Sequence, residues 1–168
     1  MKKELPTLRG EALYIPFVGA IIERMNGTTK EILIQVREKS SDRKYSGSIE
    51  IPGGKMRAFE DVYETLRREV KEETGLDLVF VQYADQRQDY VSREDCSSFI
   101  QPFCVTQMQQ GPYIGLIFLC AAKGTLLEKT DESKEIRWIA CGELKAWVDT
   151  HPERVYTAFL APLKKYLG

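Results

Sequence analysis

The chain has 168 residues, of which 43% are hydrophobic and 29% are charged, and its formal net charge is −1. This composition is typical of a globular protein with a substantial core, and it argues against a dedicated nucleic-acid binder, which usually carries a basic stripe. No apolar run has the length of a membrane span or of a signal peptide. We therefore expect one domain over residues 1–168, located in the cytoplasm, with neither a nucleic-acid nor a membrane partner.

The N-terminal part of the chain predicts two buried strands joined as a hairpin. Residues 12–22 are almost continuously apolar, and residues 32–37 follow after Asn26-Gly27, which is a strong hairpin signal. Arg37 ends the second predicted strand. It is a candidate substrate-binding residue because arginine pairs well with phosphate, and a solvated strand end is the alternative.

Residues 54–76 carry the most specific pattern in the chain, G-x5-E-x7-R-E-U-x-E-E-x-G-U, in which U is an aliphatic residue. A helical period of about 100° per residue predicts an amphipathic helix here, with Val62, Leu66 and Val70 in one apolar stripe. The fixed letters of the pattern fall on Gly54, Glu60, Arg68, Glu69, Glu72, Glu73 and Gly75.

Two glutamates of this helix are predicted to point inward with the apolar stripe. Glu69 and Glu73 project in nearly the same direction as that stripe, and Glu72 lies beside them. Arg68 falls on the opposite, polar face, where Glu64 can pair with it at i, i+4 spacing. Because buried carboxylates repel each other, such a cluster either raises its pKa or binds a cation, and an all-oxygen ligand set suits Mg²⁺ or Mn²⁺.

The glycines just before the helix, in Pro52-Gly53-Gly54, predict a tight turn that brings the backbone close to such a cation. A carbonyl oxygen of Gly53 or Gly54 would complete the ligand shell. A phosphate-binding P-loop is excluded, because Met56 stands where that motif requires Ser or Thr after the lysine. Lys55 is a further candidate for a contact with substrate phosphate.

The pattern resembles the signature of the Nudix hydrolases at every fixed position. The resemblance implies an α/β fold, namely an α/β/α sandwich with a mixed central sheet. It also implies Mg²⁺-dependent hydrolysis of a diphosphate linkage, with Mn²⁺ as a substitute, and it is compatible with a homodimer. Arg68 would hold Glu60 or a ligand carboxylate in place. The metal ligands implied by position are Glu69, Glu72, Glu73 and the backbone of Gly54.

The segment after the helix predicts further strands and a pocket for the base of a nucleotide. Phe103, Gln107 and Tyr113 are candidates for this pocket, since aromatic side chains often line such sites. An ordinary polar loop is the alternative for Gln107. The predicted strands cover residues 77–91, 98–106 and 113–122.

An acidic turn within residues 131–138 leads into one more strand. The Nudix resemblance implies an additional carboxylate in this loop, acting as general base or metal ligand, with Glu132 as the first candidate and Glu135 as the second. An exposed acidic turn is the alternative. Glu72 is the other candidate for the general base, and the sequence leaves the choice between Glu72 and Glu132 open.

The C-terminal part predicts helices, of which the last covers the sheet face opposite to the signature helix. His151, in Thr150-His151-Pro152-Glu153, is interpreted as part of a capping box that opens this last helix. Since it is the only histidine, Ser-His-Asp and Cys-His mechanisms have no support. The four cysteines lack Cys-x-x-Cys spacing, so we expect no zinc site.

The function implied by the resemblance is Mg²⁺-dependent hydrolysis of a nucleoside diphosphate derivative. An oxidised or otherwise modified nucleoside triphosphate, cleaved to monophosphate and pyrophosphate, is the first candidate substrate. The alternatives are a pyrophosphatase acting on ADP-ribose, a nucleotide sugar or coenzyme A, and a non-catalytic domain that senses nucleotides. An isoprenoid diphosphate isomerase is disfavoured, because the glutamate signature is intact.

Overall fold

A mixed β-sheet forms the centre of the structure, a computed structural model that describes residues 6–38, 43–131 and 133–168. The strands, in chain order, are β1 (Thr7–Leu8), β2 (Glu11–Ala12), β3 (Ile15–Asn26), β4 (Thr29–Arg37), β5 (Ile49–Glu50), β6 (Gly53–Lys55), β7 (Asp77–Val81), β8 (Gln88–Ser92), β9 (Asp95–Phe99), β10 (Cys104–Gln107), β11 (Tyr113–Lys123) and β12 (Ser133–Ala140). The helices are α1 (Val62–Thr74), α2 (Cys141–Thr150) and α3 (Thr157–Leu167). Within the described ranges, no helix has the length and apolar character needed to cross a lipid bilayer.

The principal sheet has the strand order β10-β11-β3-β4-β12. β3 and β11 run parallel, whereas the other neighbours in this order are antiparallel. The predicted hairpin between β3 and β4 is confirmed, because Asn26 pairs with Thr29 and Gly27 adopts the positive φ that such a turn needs. β7 extends the sheet on the same side as β10, since both strands pair with β11.

β3 and β4 pair near their connecting turn and then separate. The paired part covers residues 23–26 of β3 and 29–32 of β4. Further from the turn, β6 pairs with β3 at residues 17–19, and β5 pairs with β4 at residues 35–36. The short strands β5 and β6 therefore line a gap between the two long strands, and β6 contacts α1 there.

Alternating side chains of β3 enter two separate cores. Phe17 and Ile21 pack in the core that α2 and α3 complete, while Val18 and Ile22 pack on the other side, with α1. Leu66 of α1 is 0% exposed, so its truncation to alanine would cost about 2–5 kcal/mol. Helices on both sheet faces confirm the predicted α/β/α sandwich and the predicted position of the last helix.

The helix α1 begins and ends at residues that suit those positions. Asp61 caps the N-terminus, where its Oδ1 accepts hydrogen bonds from the backbone of Tyr63 (2.8 Å) and Glu64 (3.4 Å). Gly75 ends the helix in the left-handed conformation, at a φ of 78°, and its N–H donates to the Lys71 carbonyl. These caps fix both ends of the segment that carries the signature glutamates.

The strand predictions for residues 77–91 and 98–106 are wrong in part, because each range contains two elements. The first range is divided between β7 and β8, and the second between β9 and β10. β8 and β9 form a separate antiparallel hairpin whose residues are all exposed. Pro102 lies between β9 and β10, and its missing N–H prevents a continuous ladder at that point.

The capping-box prediction for His151 is wrong. This residue lies at the end of α2, where its N–H donates to the Trp147 carbonyl (2.8 Å) and its ring stacks on the Trp147 ring. The Thr150 hydroxyl donates back to the Ala146 carbonyl (2.9 Å), within the same helix. A 3₁₀ turn at Pro152–Arg154 then separates α2 from α3, so the motif closes one helix instead of opening the next.

Candidate active site

An acidic cavity of about 600 Å³ lies between α1 and β6. Glu69, Glu72 and Glu73 of α1 line it together with Gly54 of β6. Glu73 is buried, the Glu69 side chain is 15% exposed, and the Glu72 side chain is 56% exposed. Glu69 and Glu73 therefore point inward, as the helical periodicity predicts, whereas Glu72 lies at the rim of the cavity.

Arg68 lies among carboxylates and not on a solvated face. Its Nε and Nη2 donate to the two oxygens of Glu60, at 2.7 and 2.9 Å, and its Nη1 donates to Glu69 (2.6 Å) and Glu72 (3.4 Å). The predicted pairing with Glu64 is wrong, because Glu60 offers the planar guanidinium two acceptors at once. Both contacts implied by the family resemblance are present, one to Glu60 and one to a signature glutamate.

These charge-assisted hydrogen bonds shift two ionisation equilibria. The Arg68 guanidinium lowers the pKa of Glu60 from 4.5 to about 2. The Glu60 carboxylate in turn raises the pKa of Arg68, and Glu69 contributes in the same direction. Glu60 therefore stays anionic and Arg68 stays cationic near neutral pH, so a fixed ion pair borders the acidic cavity.

The tight turn predicted at Pro52-Gly53-Gly54 is wrong, because Gly53 and Gly54 lie in the extended strand β6. Close packing, and not a turn, requires the glycines. A Cβ atom on Gly54 would overlap the Glu69 carboxylate, and one on Gly53 would overlap the Val18 carbonyl. The backbone of β6 therefore directly adjoins a carboxylate of the acidic cavity.

Two neutral donors orient the carboxylate of Glu73. The Gly53 N–H and the Gln35 side-chain amide both donate to Glu73 Oε2, each at 2.9 Å. Gln35 also donates to Glu50 Oε1 at 3.3 Å, and Arg37 donates to Glu50 Oε2 at 2.9 Å. A continuous run of buried polar contacts thus leads from Glu73 through the gap in the sheet to Arg37.

A second cavity, of about 70 Å³, lies at the other end of this run. We call it the aromatic cavity, because four aromatic side chains line it together with Arg37 and Glu50. The Arg37 guanidinium lies 4.4 Å from the centre of the Tyr156 ring. Arg37 is 8% exposed, so the solvated alternative for this residue is wrong. Because β6 lines both cavities, the two adjoin. The other lining residues are Phe17, Gly53, Gly54, Lys55, Tyr113, Tyr156, Ala158 and Phe159.

Of the three candidates for a base pocket, Tyr113 lines the aromatic cavity and the other two lie elsewhere. The Phe103 ring packs edge-on against Tyr166 of α3, which gives it an apolar surface to cover. Gln107 is exposed, and its amide donates to the Tyr14 hydroxyl at 2.6 Å. Neither Phe103 nor Gln107 is among the residues that line the aromatic cavity.

Among the described residues of the acidic turn before β12, Asp131 is the acid that lines the acidic cavity. Glu132 lies outside the described residues. Glu135 is exposed at a bulge of β12, with a positive φ of 50°, and it is not among the residues that line the acidic cavity. Asp131 does line that cavity. Asp131 was not predicted, because several acids follow one another in this turn and spacing alone does not rank them.

Gln35, Glu50 and Tyr156 were also missed. Gln35 and Glu50 are polar residues within apolar strand segments, and both are buried, at 0% and 2% exposure. That contrast with their neighbours was the available signal, because a buried polar side chain needs a specific partner. Tyr156 gave no such signal, since an aromatic residue at helical spacing is most often part of a core.

A profile of the NUDIX domain matches residues 14–159, which is most of the chain. The chain belongs to the Nudix hydrolase family. It is 32% identical over 138 residues to the 8-oxo-dGDP phosphatase NUDT18 of Danio rerio, covering 79% of this chain and 33% of that protein. It is 33% identical over 84 residues to Nudix hydrolase 7 of Arabidopsis thaliana, covering 50% of this chain and 29% of that protein. The chain thus spans about a third of the length of these curated relatives.

Among solved structures, a Nudix hydrolase from Nitrosomonas europaea has a TM-score of 0.64 at 19% identity, over 94% of this chain and 72% of that chain. At this level of identity the likeness concerns the fold alone. It agrees with the mixed sheet and flanking helices described above, so the Nudix fold implied by the signature is confirmed.

Nudix hydrolases generally use divalent metal ions, and the donor set of the acidic cavity fits such an ion. Three carboxylates line the cavity beside the backbone of Gly54, and they would offer the oxygen ligands that Mg²⁺ and Mn²⁺ prefer. Within the described ranges, no three acidic, histidine or cysteine side chains converge as a ready metal site. Arg68 donates to Oε1 of Glu69, and a carboxylate has a second oxygen that could accept a cation.

Proposed function

We propose that this Nudix domain hydrolyses a diphosphate linkage in a nucleoside diphosphate derivative, with Mg²⁺ as the cation. The observation that carries the proposal is the arrangement of the two cavities, because Gly54 and Lys55 line both of them. A diphosphate group in the acidic cavity would lie next to a base in the aromatic cavity. One substrate molecule would then span both cavities.

The acidic cavity would hold the cation through Glu69, Glu72, Glu73 and the Gly54 carbonyl. Bound Mg²⁺ neutralises phosphate charge and acidifies a bound water molecule. Arg68 stays protonated and balances part of the negative charge of the cluster. The ion pair between Arg68 and Glu60 anchors this guanidinium from outside the cavity.

Two carboxylates are proposed as acceptors of the proton from the attacking water. Glu72 lies at the rim, with its side chain 56% exposed, where water reaches it. Glu132 is proposed because it follows Asp131, which lines the same cavity. Profiles of turnover against pH for Glu72→Gln and Glu132→Gln decide between them, since the variant that lacks the base loses the acidic limb of its profile.

The remaining substrate contacts are proposed for residues of the aromatic cavity and its border. Lys55 is exposed and lines both cavities, so it would bind a phosphate oxygen between them. Tyr113 would pack against the base. Arg37, restrained by Glu50 and Tyr156, would present its guanidinium to the polar edge of the base instead of to phosphate.

The first substrate class to test is an oxidised or otherwise modified purine nucleotide, as triphosphate or diphosphate. The support for it is the relative from Danio rerio, whose name identifies it as an 8-oxo-dGDP phosphatase. For a nucleoside triphosphate we expect a nucleoside monophosphate and pyrophosphate as products. For a nucleoside diphosphate we expect a nucleoside monophosphate and phosphate. A single domain over residues 1–168, a cytoplasmic location and a homodimer remain predictions from the sequence.

The proposal is tested by incubating the purified chain with Mg²⁺ and a panel of nucleotides, followed by identification of the products. The panel contains ordinary and oxidised nucleoside triphosphates and diphosphates, ADP-ribose, a nucleotide sugar and coenzyme A. We expect release of a nucleoside monophosphate from at least one member, and its loss on addition of a chelator. Thermal stabilisation by a nucleotide without any product would overturn the proposal in favour of a nucleotide sensor.

A further inference from the structure

A glutamine occupies the gap between β3 and β4, among apolar neighbours. Gln35 is 0% exposed, as is the adjacent Ile34. Its amide nitrogen Nε2 lies 2.9 Å from Glu73 Oε2 and 3.3 Å from Glu50 Oε1. An amide nitrogen carries two hydrogens, so one is available for each carboxylate. Gln35 therefore joins the acidic cavity, lined by Glu73, to the aromatic cavity, lined by Glu50.

The two carboxylates determine the orientation of this amide. A flipped amide would place Oε1 against carboxylate oxygens, and acceptors repel each other. In the observed orientation, Gln35 Oε1 is buried and has no hydrogen-bond donor within the described part of the chain. An unpaired buried acceptor destabilises a folded protein. The interactions of this side chain with the described residues are therefore made by its two N–H donors.

The geometry at Glu73 shows what those donors achieve. Gln35 from β4 and the Gly53 N–H from β6 both donate to the same oxygen, Oε2. Together they fix the plane of the carboxylate. Both donors are neutral, so they orient Glu73 without neutralising it. The neighbouring Glu69 carboxylate accepts from the cationic Arg68.

We propose that Gln35 is a positioning residue that holds the Glu73 carboxylate in the orientation needed to bind the cation. This inference rests on the proposed function, since it requires Glu73 to be a cation ligand. Hydrogen-bond donors behind metal ligands commonly contribute about 10–100-fold to metal affinity. Gln35 is expected to act in this way although it does not itself touch the cation or the substrate.

The test measures Mn²⁺ binding to the chain without substrate, from the electron paramagnetic resonance signal of free Mn²⁺. Gln35→Met keeps the length of the side chain and removes both donors, and we expect about 10–100-fold weaker Mn²⁺ binding. Thr106→Val is the matched control. It also removes a buried hydrogen bond, from the Thr106 hydroxyl to the Ala158 carbonyl at 3.2 Å. It should lower the thermal unfolding midpoint and leave Mn²⁺ affinity unchanged.

A double variant shows whether Gln35 acts through Glu73. Glu73→Gln alone should weaken Mn²⁺ binding, and adding Gln35→Met should cause no further loss, because the two residues then share one effect. Two outcomes would overturn the inference about Gln35 and leave the assignment of Glu73 as a ligand intact. One is weaker Mn²⁺ binding in Glu73→Gln together with wild-type Mn²⁺ binding in Gln35→Met. The other is a fully additive loss of Mn²⁺ affinity in the double variant. Wild-type binding in Glu73→Gln would overturn the ligand assignment and the inference with it.

A second variant covers the case in which Gln35→Met does not fold. Gln35→Asn keeps the amide but withdraws it by one methylene, so it should give a measurable loss of Mn²⁺ affinity that is smaller than that of Glu73→Gln. Wild-type Mn²⁺ affinity in a folded Gln35→Asn variant would contradict a role in positioning Glu73.

Discussion

The acidic cavity and the aromatic cavity adjoin, but they are built in different ways. The acidic cavity takes its chemical character from adjacent turns of one helix, where Glu69, Glu72 and Glu73 are close in sequence. The aromatic cavity collects residues from β3, β4, β11 and α3, which are far apart in the chain. We infer that the local motif sets the proposed chemistry, whereas the tertiary packing sets the choice of substrate.

The largest expected effect comes from the acidic cavity. Glu73→Gln should lower kcat on the order of a thousandfold, because about 4 kcal/mol of charge stabilisation would be lost with a cation ligand. The fold should persist, since the new amide oxygen can still accept from Gly53 and Gln35. Steady-state kinetics and thermal unfolding of the purified variant check both statements. Near-normal turnover in Glu73→Gln would contradict the inference that the acidic cavity sets the chemistry.

A pair of glycine substitutions tests how closely β6 must approach α1. Gly54→Ala should lower kcat by about 100-fold, because the added Cβ displaces the Glu69 carboxylate and small displacements of reacting groups are costly. Gly142→Ala in α2 is the control, because a Cβ atom added at this position would meet no atom within 4 Å. It should raise the free energy of unfolding by about 0.5–1 kcal/mol and leave kcat unchanged. Equal kcat values for the two variants would contradict the claim that β6 must approach α1 closely.

A substitution in the aromatic cavity should change binding instead of turnover. Tyr113→Leu should raise KM about tenfold with kcat nearly unchanged, since a lost contact between an aromatic ring and a base is worth about 1–3 kcal/mol. Phe103→Leu is the control, because this ring lies against α3 and away from the cavity. Kinetics with the substrate found in the nucleotide panel check the prediction. A loss of kcat in Tyr113→Leu, or a raised KM in Phe103→Leu, would contradict it.

The smallest expected effect concerns the ion pair beside the acidic cavity. The folded-state pKa of Glu60 is about 2, against an ordinary value of 4.5, so its ionised form stabilises the folded state at higher pH. This contribution is complete above about pH 4.5 and is lost as the pH falls toward 2. Glu60→Gln should therefore unfold at lower urea concentration at pH 7, and its difference from wild type should narrow below pH 4.5. A difference that stays constant with pH would contradict the assignment.

The fold was predictable where hydrophobic periodicity and local turn signals agree. The apolar stripe of α1 and the Asn26-Gly27 turn depend on neighbouring residues alone, and both are present in the structure. The hairpin of β8 and β9 was not predictable, because its exposed side chains show no buried face. The separation of β3 from β4 was also not predictable from the sequence, because it depends on β5 and β6 lying in the gap between them.

The site was predictable to the extent that it lies on one helix. The inward direction of Glu69 and Glu73 follows from the helical period, but the direction of Arg68 does not, because Glu60 lies outside the helix and draws the guanidinium toward it. Gln35 is close to Glu73 only in the folded chain, 38 residues away in sequence. No local pattern indicates a contact of that kind, so it was not predictable from the sequence.

The most direct test of the central claim is a crystal structure of the chain with Mn²⁺, in which anomalous scattering locates the cation. The account predicts a peak in the acidic cavity within about 2.5 Å of carboxylate oxygens from both Glu69 and Glu73. An acidic cavity without such a peak would contradict it.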